Sequence, residues 1–582
     1  MKTKTYGLIA WLLCNSIYSC SAQEPITSPQ ANSINYSTDP TKARDMLDHL
    51  FTQESNYQHL SGVVQIRSAD SLIFHQSYGN STRGISSGAA SRFDIGSVSK
   101  QFTAAAILML AHEGHLNLQD KVNPHLGPYA SDRWDRVTIH QLLTHTSGIP
   151  SIYQTEQGLD IFFPEEKLIE IAELISKFRE AKLLFKPGEE FSYSNSGYVL
   201  LAAIIEQVSG LPYPQFMEER VFAKYGLEHT GFGSSQADAT PYYGYRSDLS
   251  SPAPSYHHSW SIGGGGVYST ANDLSRWLSI LQSDTFLTAS LRRDYLSSHT
   301  QAGYGYGWQI TKEGRVEHDG GTAGFMSFVS FDPTSGHQIV LLTNRGFEDI
   351  HSYGKSARYV RELVDNSWDI LKGREVDILP EITSMPEIES EYFLDDGTRI
   401  TLSSENDTAV WVSVEGTITS RLIANTPLLG ATQQEDMMND LARLLYKKKH
   451  WAAAKYFDGE MKFVSYSGLL GIGMKMMRKQ TGKVVAIVPY YVEEGHGLMR
   501  ITGEEAILDI IVYFDEEGKV QGIFEHGSYQ LDHEVPMLAY PIGSGELYLD
   551  GLNYGEPDAT LKLTDEGLTI QQLDRSVLAN KL

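Results

Sequence analysis

Apolar and polar positions alternate over residues 62–67 and again over 72–78, with the polar run Ser68-Ala69-Asp70-Ser71 between them, and this period of two predicts an antiparallel hairpin. Comparable strand patterns return far along the chain at 325–331 and 338–343. Between those ends the period lengthens. The spacing predicts helices over 100–112, 167–182, 198–208 and 271–281, with Gly114 and Gly210 standing where left-handed caps would end the first and third. Strands at both ends of a helix-rich middle predict one antiparallel sheet assembled from the two termini, with helices packed on it and beside it. A helix over 356–371 should close this domain.

The pattern then changes. Residues 375–389 hold Pro380, Pro386 and several carboxylates without apolar periodicity, which suits a linker. Beyond it a hairpin is expected over 392–402, turning at Asp396-Gly397, followed by a strand at 409–414 and a helix-period patch at 435–446. Further strands are expected at 484–492, 506–514 and 520–525. This tail reads as α+β or mostly β and carries no catalytic motif; its Met474-Lys475-Met476-Met477 run reads as core packing. The class overall is α+β, and 582 residues exceed the roughly 250–300 that one core usually supports. The expected division is a signal peptide at 1–22, a flexible tether at 23–45, a catalytic domain at 46–372, a linker at 373–389 and an accessory domain at 390–582.

Charge narrows the partners. A formal charge of −25 gives a surface that repels phosphate backbones, and nucleic acid is excluded on that ground. Lys2 and Lys4, an apolar run over 8–13 and small residues up to Ala22 follow the order of an export signal, so a periplasmic or secreted protein is expected. The apolar run is shorter than the roughly 20 residues that span a bilayer. Cys14 and Cys20 are the two cysteines, so no disulfide framework survives signal cleavage. Ile17-Tyr18-Ser19-Cys20 is similar to a bacterial lipoprotein signal that would anchor Cys20 to lipid, and ordinary cleavage after Ala22 fits as well.

Three short motifs carry the chemistry. Ser97-Val98-Ser99-Lys100 puts a hydroxyl and an amine one turn apart at a helix start, where the apolar residues that follow could desolvate the lysine and make it a base. Alone, such a pair is usually a solvated helix face. Tyr193-Ser194-Asn195 sits in a polar turn before a helix, where a phenol could carry protons and an amide orient them; the simpler reading makes Asn195 a helix cap. His318-Asp319-Gly320-Gly321 leads into a strand, and its glycines let a substrate approach the backbone.

Taken together and in this order, the motifs resemble the serine β-lactamase and penicillin-binding-protein superfamily. The versions here are most similar to class C β-lactamases, D-aminopeptidases, alkaline D-peptidases and β-lactamase-like esterases. Leu142-Leu143-Thr144-His145-Thr146-Ser147-Gly148 and the segment from Gly265 to Leu274 add to the resemblance, which covers about residues 46–370.

The resemblance implies that Ser97 attacks the carbonyl and that Lys100 and Tyr193 share acid and base work. It implies too that Asn195 holds Lys100 and the substrate amide, that His318 and Gly320 line the substrate side, and that the Ser97 and Gly321 N–H groups form the oxyanion hole. Class C β-lactamases usually carry Lys-Thr-Gly where this chain has His318-Asp319-Gly320. A histidine is charged only in part near neutrality and Asp319 repels anions, so D-amino-acid peptides, amides and esters move ahead of β-lactams, with peptidoglycan fragments among them.

His145 does not form a Ser-His-Asp triad in this reading, because Lys100 already supplies the base. Gly263 to Gly266 lacks the ending of a phosphate loop, His257-His258 reads as surface, and neither a His-Glu-x-x-His helix nor a cysteine cluster is present. No metal or cofactor is implied. Two functions remain: an acyl-enzyme hydrolase, or a non-catalytic module binding cell-wall peptides or proteins through the same cleft or the tail.

Overall fold

A computed structural model describes residues 40–57, 59–68, 71–79, 90–152, 167–233, 239, 242–243, 251–253, 256–283, 286–322, 324–346, 350–393, 399–415, 433–449, 452, 454–456, 483–493, 496–503, 506–514, 519–530, 537–543, 545–549, 559–564, 567–572 and 575–581. The signal and lipid-anchor readings, the tether up to residue 39, the Asp396-Gly397 turn and the Met474–477 run lie outside these residues. The chain divides into two compact units, residues 1–379 and 380–582.

The first unit is built on a six-stranded antiparallel sheet. Its strands are β1 (Gly62–Arg67), β2 (Leu72–Tyr78), β3 (Gln309–Ile310), β4 (Val316–Thr322), β5 (Phe325–Phe331) and β6 (Gln338–Thr343), in the spatial order β2-β1-β6-β5-β4-β3. The two termini of the unit meet where β1 pairs with β6, Val64 opposite Leu341. Strands β5 and β6 are buried along their whole length, as expected of a sheet covered on both faces.

Its helices include α1 (Pro40–Asn56), α2 (Lys100–His112), α3 (Ile139–Leu143), α4 (Ile171–Ser176), α5 (Asn195–Ser209), α6 (Ala271–Leu281) and α7 (Ile350–Leu371). Every residue of α2 from Lys100 to Leu110 is buried, and the helix packs against α5. A helix buried all round needs apolar residues on every side, which the Ala-Ala-Ala-Ile-Leu-Met-Leu run supplies.

Two expectations are corrected. The span read as tether, residues 23–45, ends in helix: α1 starts at Pro40 and buries Ala43, Leu47, Leu50 and Phe51 along one stripe, a spacing obscured by the polar residues between them. The helix expected over 167–182 is confined to Ile171–Ser176. Its first residues are tied elsewhere, the Ile169 N–H donating to Ser259 Oγ and Trp260 Nε1–H to the Lys167 carbonyl.

The second unit combines an eight-stranded closed barrel, formed by residues 389–415 and 537–581, with a four-stranded antiparallel sheet running from Val484 to Gln530. Helix α8 (Gln433–Tyr446) lays Met438, Leu441 and Leu445 against Ile487, Met499 and Ile501 of that sheet. Ile400, Leu402, Val410, Leu547, Leu561 and Leu568 fill the barrel core.

Candidate active site

Ser97 lies in a 3-10 turn, Gly96–Ser99, that runs directly into α2. With three residues per turn, positions i and i+3 eclipse. Ser97 and Lys100 are therefore stacked, and Lys100 Nζ stands 3.0 Å from Ser97 Oγ. Lys100 is buried, and its amine has two further acceptors: Asn195 Oδ1 at 2.7 Å and the Gly264 carbonyl at 2.8 Å. Burial pulls its pKa down from 10.5 to about 7, against an opposing pull from the Asp319 carboxylate. A neutral amine has two N–H bonds. Directed at Asn195 and Gly264, they leave the lone pair for the serine hydroxyl, which is the geometry of a general base.

Asn195 is the first residue of α5, and the cap belongs to its neighbour: Ser194 Oγ accepts the Gly197 N–H at 3.3 Å. The amide of Asn195 is thereby left to Lys100. Tyr193, two residues before Asn195, puts its ring centroid 4.9 Å from Lys100 Nζ. The glycine run Gly263–Gly266 closes the opposite side by wrapping the start of α2, with Thr103 Oγ1–H donating to the Gly263 carbonyl at 2.6 Å. A side chain at 264 would put its Cβ 3.2 Å from Asn195 Oδ1 and 3.3 Å from Lys100 Nζ.

Strand β4 runs beside the serine turn. A Cβ on Gly320 would fall 2.1 Å from the Ile95 carbonyl and 2.9 Å from Ser97 N, and one on Gly96 would fall 2.7 Å from Gly321 N. Only glycine permits this approach, and Gly96 additionally has φ +48°. The backbone nitrogens of Ser97 and Gly321 thus belong to one small region, as an oxyanion hole requires.

His318, expected on the substrate side, is held from within the protein. The ring is fully buried, Nδ1–H donates to the Asp319 carbonyl at 2.6 Å, and Nε2 is 3.0 Å from the Tyr304 hydroxyl. Burial, with Lys100 nearby, lowers its pKa to about 4 despite the adjacent Asp319 carboxylate, so it is neutral at physiological pH.

Other residues at the site carried no motif. Asp94 is buried, accepts the Gly96 N–H at 2.9 Å and the Tyr256 hydroxyl at 2.8 Å, and has its pKa raised by burial to about 6. Ser327 Oγ on β5 donates to the Ile95 carbonyl at 2.8 Å. An aspartate two residues before a glycine of positive φ is a recognisable local brace, and that signal could have been read. The Gly264 carbonyl could not, since a backbone acceptor leaves no mark on residue type.

Comparison with known proteins gives the family and the fold. The beta-lactamase family model matches residues 47–361, more than half of the chain. Penicillin-binding protein 4* of Bacillus subtilis is 26% identical over 405 residues, covering 62% of this chain and 86% of that protein. Protein flp of Staphylococcus aureus is 27% identical over 53% of this chain, but the match takes in only 64% of its own length. Among solved structures, the D-amino acid amidase of Ochrobactrum anthropi has the same fold, with a TM-score of 0.50 and 21% identity over 58% of this chain and 99% of that one.

Proposed function

The chain belongs to the beta-lactamase family, as a serine hydrolase of the β-lactamase and penicillin-binding-protein type, and from that premise we propose that it forms an acyl-enzyme at Ser97. The observation that carries the proposal is the buried Lys100 amine, held between Ser97 Oγ, Asn195 Oδ1 and the Gly264 carbonyl. Ser97 Oγ attacks the acyl carbon and its proton passes to neutral Lys100. The carbonyl oxygen becomes an oxyanion facing the Ser97 and Gly321 N–H groups, and losing one such donor typically costs about 10²- to 10³-fold in rate. Collapse breaks the bond to the leaving nitrogen or oxygen, which takes a proton relayed by Lys100 and Tyr193. Water then attacks the ester carbon, its proton passes through the same groups to Ser97 Oγ as the acyl–Oγ bond breaks, and the acid is released.

The substrate class we propose is a D-amino-acid peptide, amide or ester rather than a β-lactam. A β-lactam presents a carboxylate, and where class C β-lactamases usually carry Lys-Thr-Gly this chain has His318-Asp319-Gly320, which supplies no permanent cation for it. Peptidoglycan fragments fit an exported enzyme, and export remains part of the proposal.

The test is to treat the full chain with a fluorescent penicillin and with a fluorophosphonate, then locate the label by peptide mass spectrometry. Fluorophosphonate on Ser97 with little penicillin is expected. A folded protein that neither probe labels at Ser97 would overturn the acyl-enzyme, and strong penicillin labelling would overturn the substrate preference.

A further inference from the structure

Among the buried titratable side chains that the chemistry above does not use, His145 is the one packed against Tyr193. His145 lies two residues past α3, is fully buried, and has φ +58°. Left-handed backbone is unfavourable for a non-glycine residue and persists only where the surroundings enforce it. What surrounds it here is the Tyr-Ser-Asn turn. The His145 carbonyl accepts the Ser192 N–H at 2.9 Å, and its Nδ1 accepts the Ser194 N–H at 3.0 Å. Hydrogen bonds from the residues on either side of Tyr193 therefore converge on one residue. The His145 ring also lies against Tyr193 itself, with centroids 4.2 Å apart, and 4.6 Å from Tyr304.

An Nδ1 that accepts must be unprotonated, which puts the proton of the neutral ring on Nε2. Burial, helped by Lys100 and His318, holds the pKa well below 6.5, so this tautomer persists. The imidazolium would lose the Ser194 contact and place a charge beside Lys100.

We propose that His145 is a positioning residue that fixes the Tyr193 phenol and, through Ser194, the start of α5 where Asn195 holds the base. The inference rests on the proposed role of Tyr193 in proton transfer. A misplacement of about 1 Å in such a constellation costs about 10²-fold in rate, and that is the scale to look for.

Two substitutions separate positioning from backbone strain. His145→Gly relieves the left-handed backbone but removes both ring and acceptor. His145→Asn tolerates the same backbone and sets an amide oxygen near the place of Nδ1. Each variant is compared with the wild type for thermal transition, rate of fluorophosphonate labelling at Ser97, and kcat and KM on a chromogenic D-amino-acid ester.

The expected result is that His145→Gly loses about 10²-fold in labelling rate and kcat while KM moves by less than about threefold, and that His145→Asn recovers at least about tenfold of the loss. A His145→Gly protein labelled at the wild-type rate would overturn the inference and leave the acyl-enzyme standing. So would a His145→Asn protein that folds but is no faster than His145→Gly. A wild-type protein that is never labelled at Ser97 overturns the acyl-enzyme first and this inference with it.

Discussion

The first unit buries Lys100, Asp94, Glu317 and His318, each held by hydrogen bonds or an ion pair, Glu317 with Arg361 at 2.7 Å. The second unit, among the described residues, buries only hydrophobic side chains, such as Ile400, Leu441, Met499 and Leu561. A desolvated charge costs several kcal/mol unless its surroundings compensate, so a fold that needs only stability fills its interior as the second unit does. Where charges are buried and pKa values displaced together, chemistry is the economical explanation. The contrast teaches where to look: the polar core of the first unit is where the proposed reaction belongs, and the second unit's described cores are apolar.

The contrast is most easily broken at Ser97. Ser97→Ala should abolish fluorophosphonate labelling and turnover in a protein that melts as the wild type does, and surviving turnover would move the nucleophile elsewhere. Lys100→Met should follow, with turnover down by about 10²- to 10⁴-fold. Its stability should be equal or higher, because a desolvated amine has been exchanged for an apolar chain of similar length. Loss of stability in step with activity would make Lys100 a structural residue. In the wild type the lysine is a base only when neutral, so the labelling rate should rise with pH, about tenfold per unit below pH 7, and level off above it. A flat profile across that range would separate the rate from Lys100.

The second unit should answer in the opposite way. Leu441→Ala removes a fully buried side chain between α8 and the four-stranded sheet. It should cost about 2–5 kcal/mol in denaturant unfolding. Labelling of Ser97 in the folded protein should stay at the wild-type rate.

Much of the first unit was legible from its sequence because period and punctuation coincide there. The alternation at 62–78 and the runs at 325–331 and 338–343 became β1, β2, β5 and β6, and Gly210 caps α5 with φ +72°. The Ser97–Lys100 spacing was legible for a further reason: a local 3-10 turn brings such a pair together whatever lies around it. What was not legible came from contacts across the chain. The Gly264 carbonyl lies 164 residues from Lys100, Tyr256 lies 162 from Asp94, and His145 reaches Ser194 over 49. The burial of His318 is of the same kind, since its ring is held by Tyr304 from another segment.

Asp94 offers the smallest effect and the one most specific to a polar core. Its folded pKa of about 6 lies above the ordinary 3.8, so the native protein holds this proton more tightly than the unfolded chain. The stability it lends is complete below pH 3.8 and is lost as pH rises through about 6, a decline on the order of 3 kcal/mol at most. Asparagine keeps an acceptor for the Gly96 N–H and cannot ionise. Denaturant titrations across this window should therefore show a shallower fall in stability for Asp94→Asn than for the wild type. Equal slopes would mean that Asp94 meets water in solution. The turn beneath Ser97 would then be braced by Ser327 and β4 alone, and the buried charge that distinguishes the first unit would shrink to Lys100 and the Glu317–Arg361 pair.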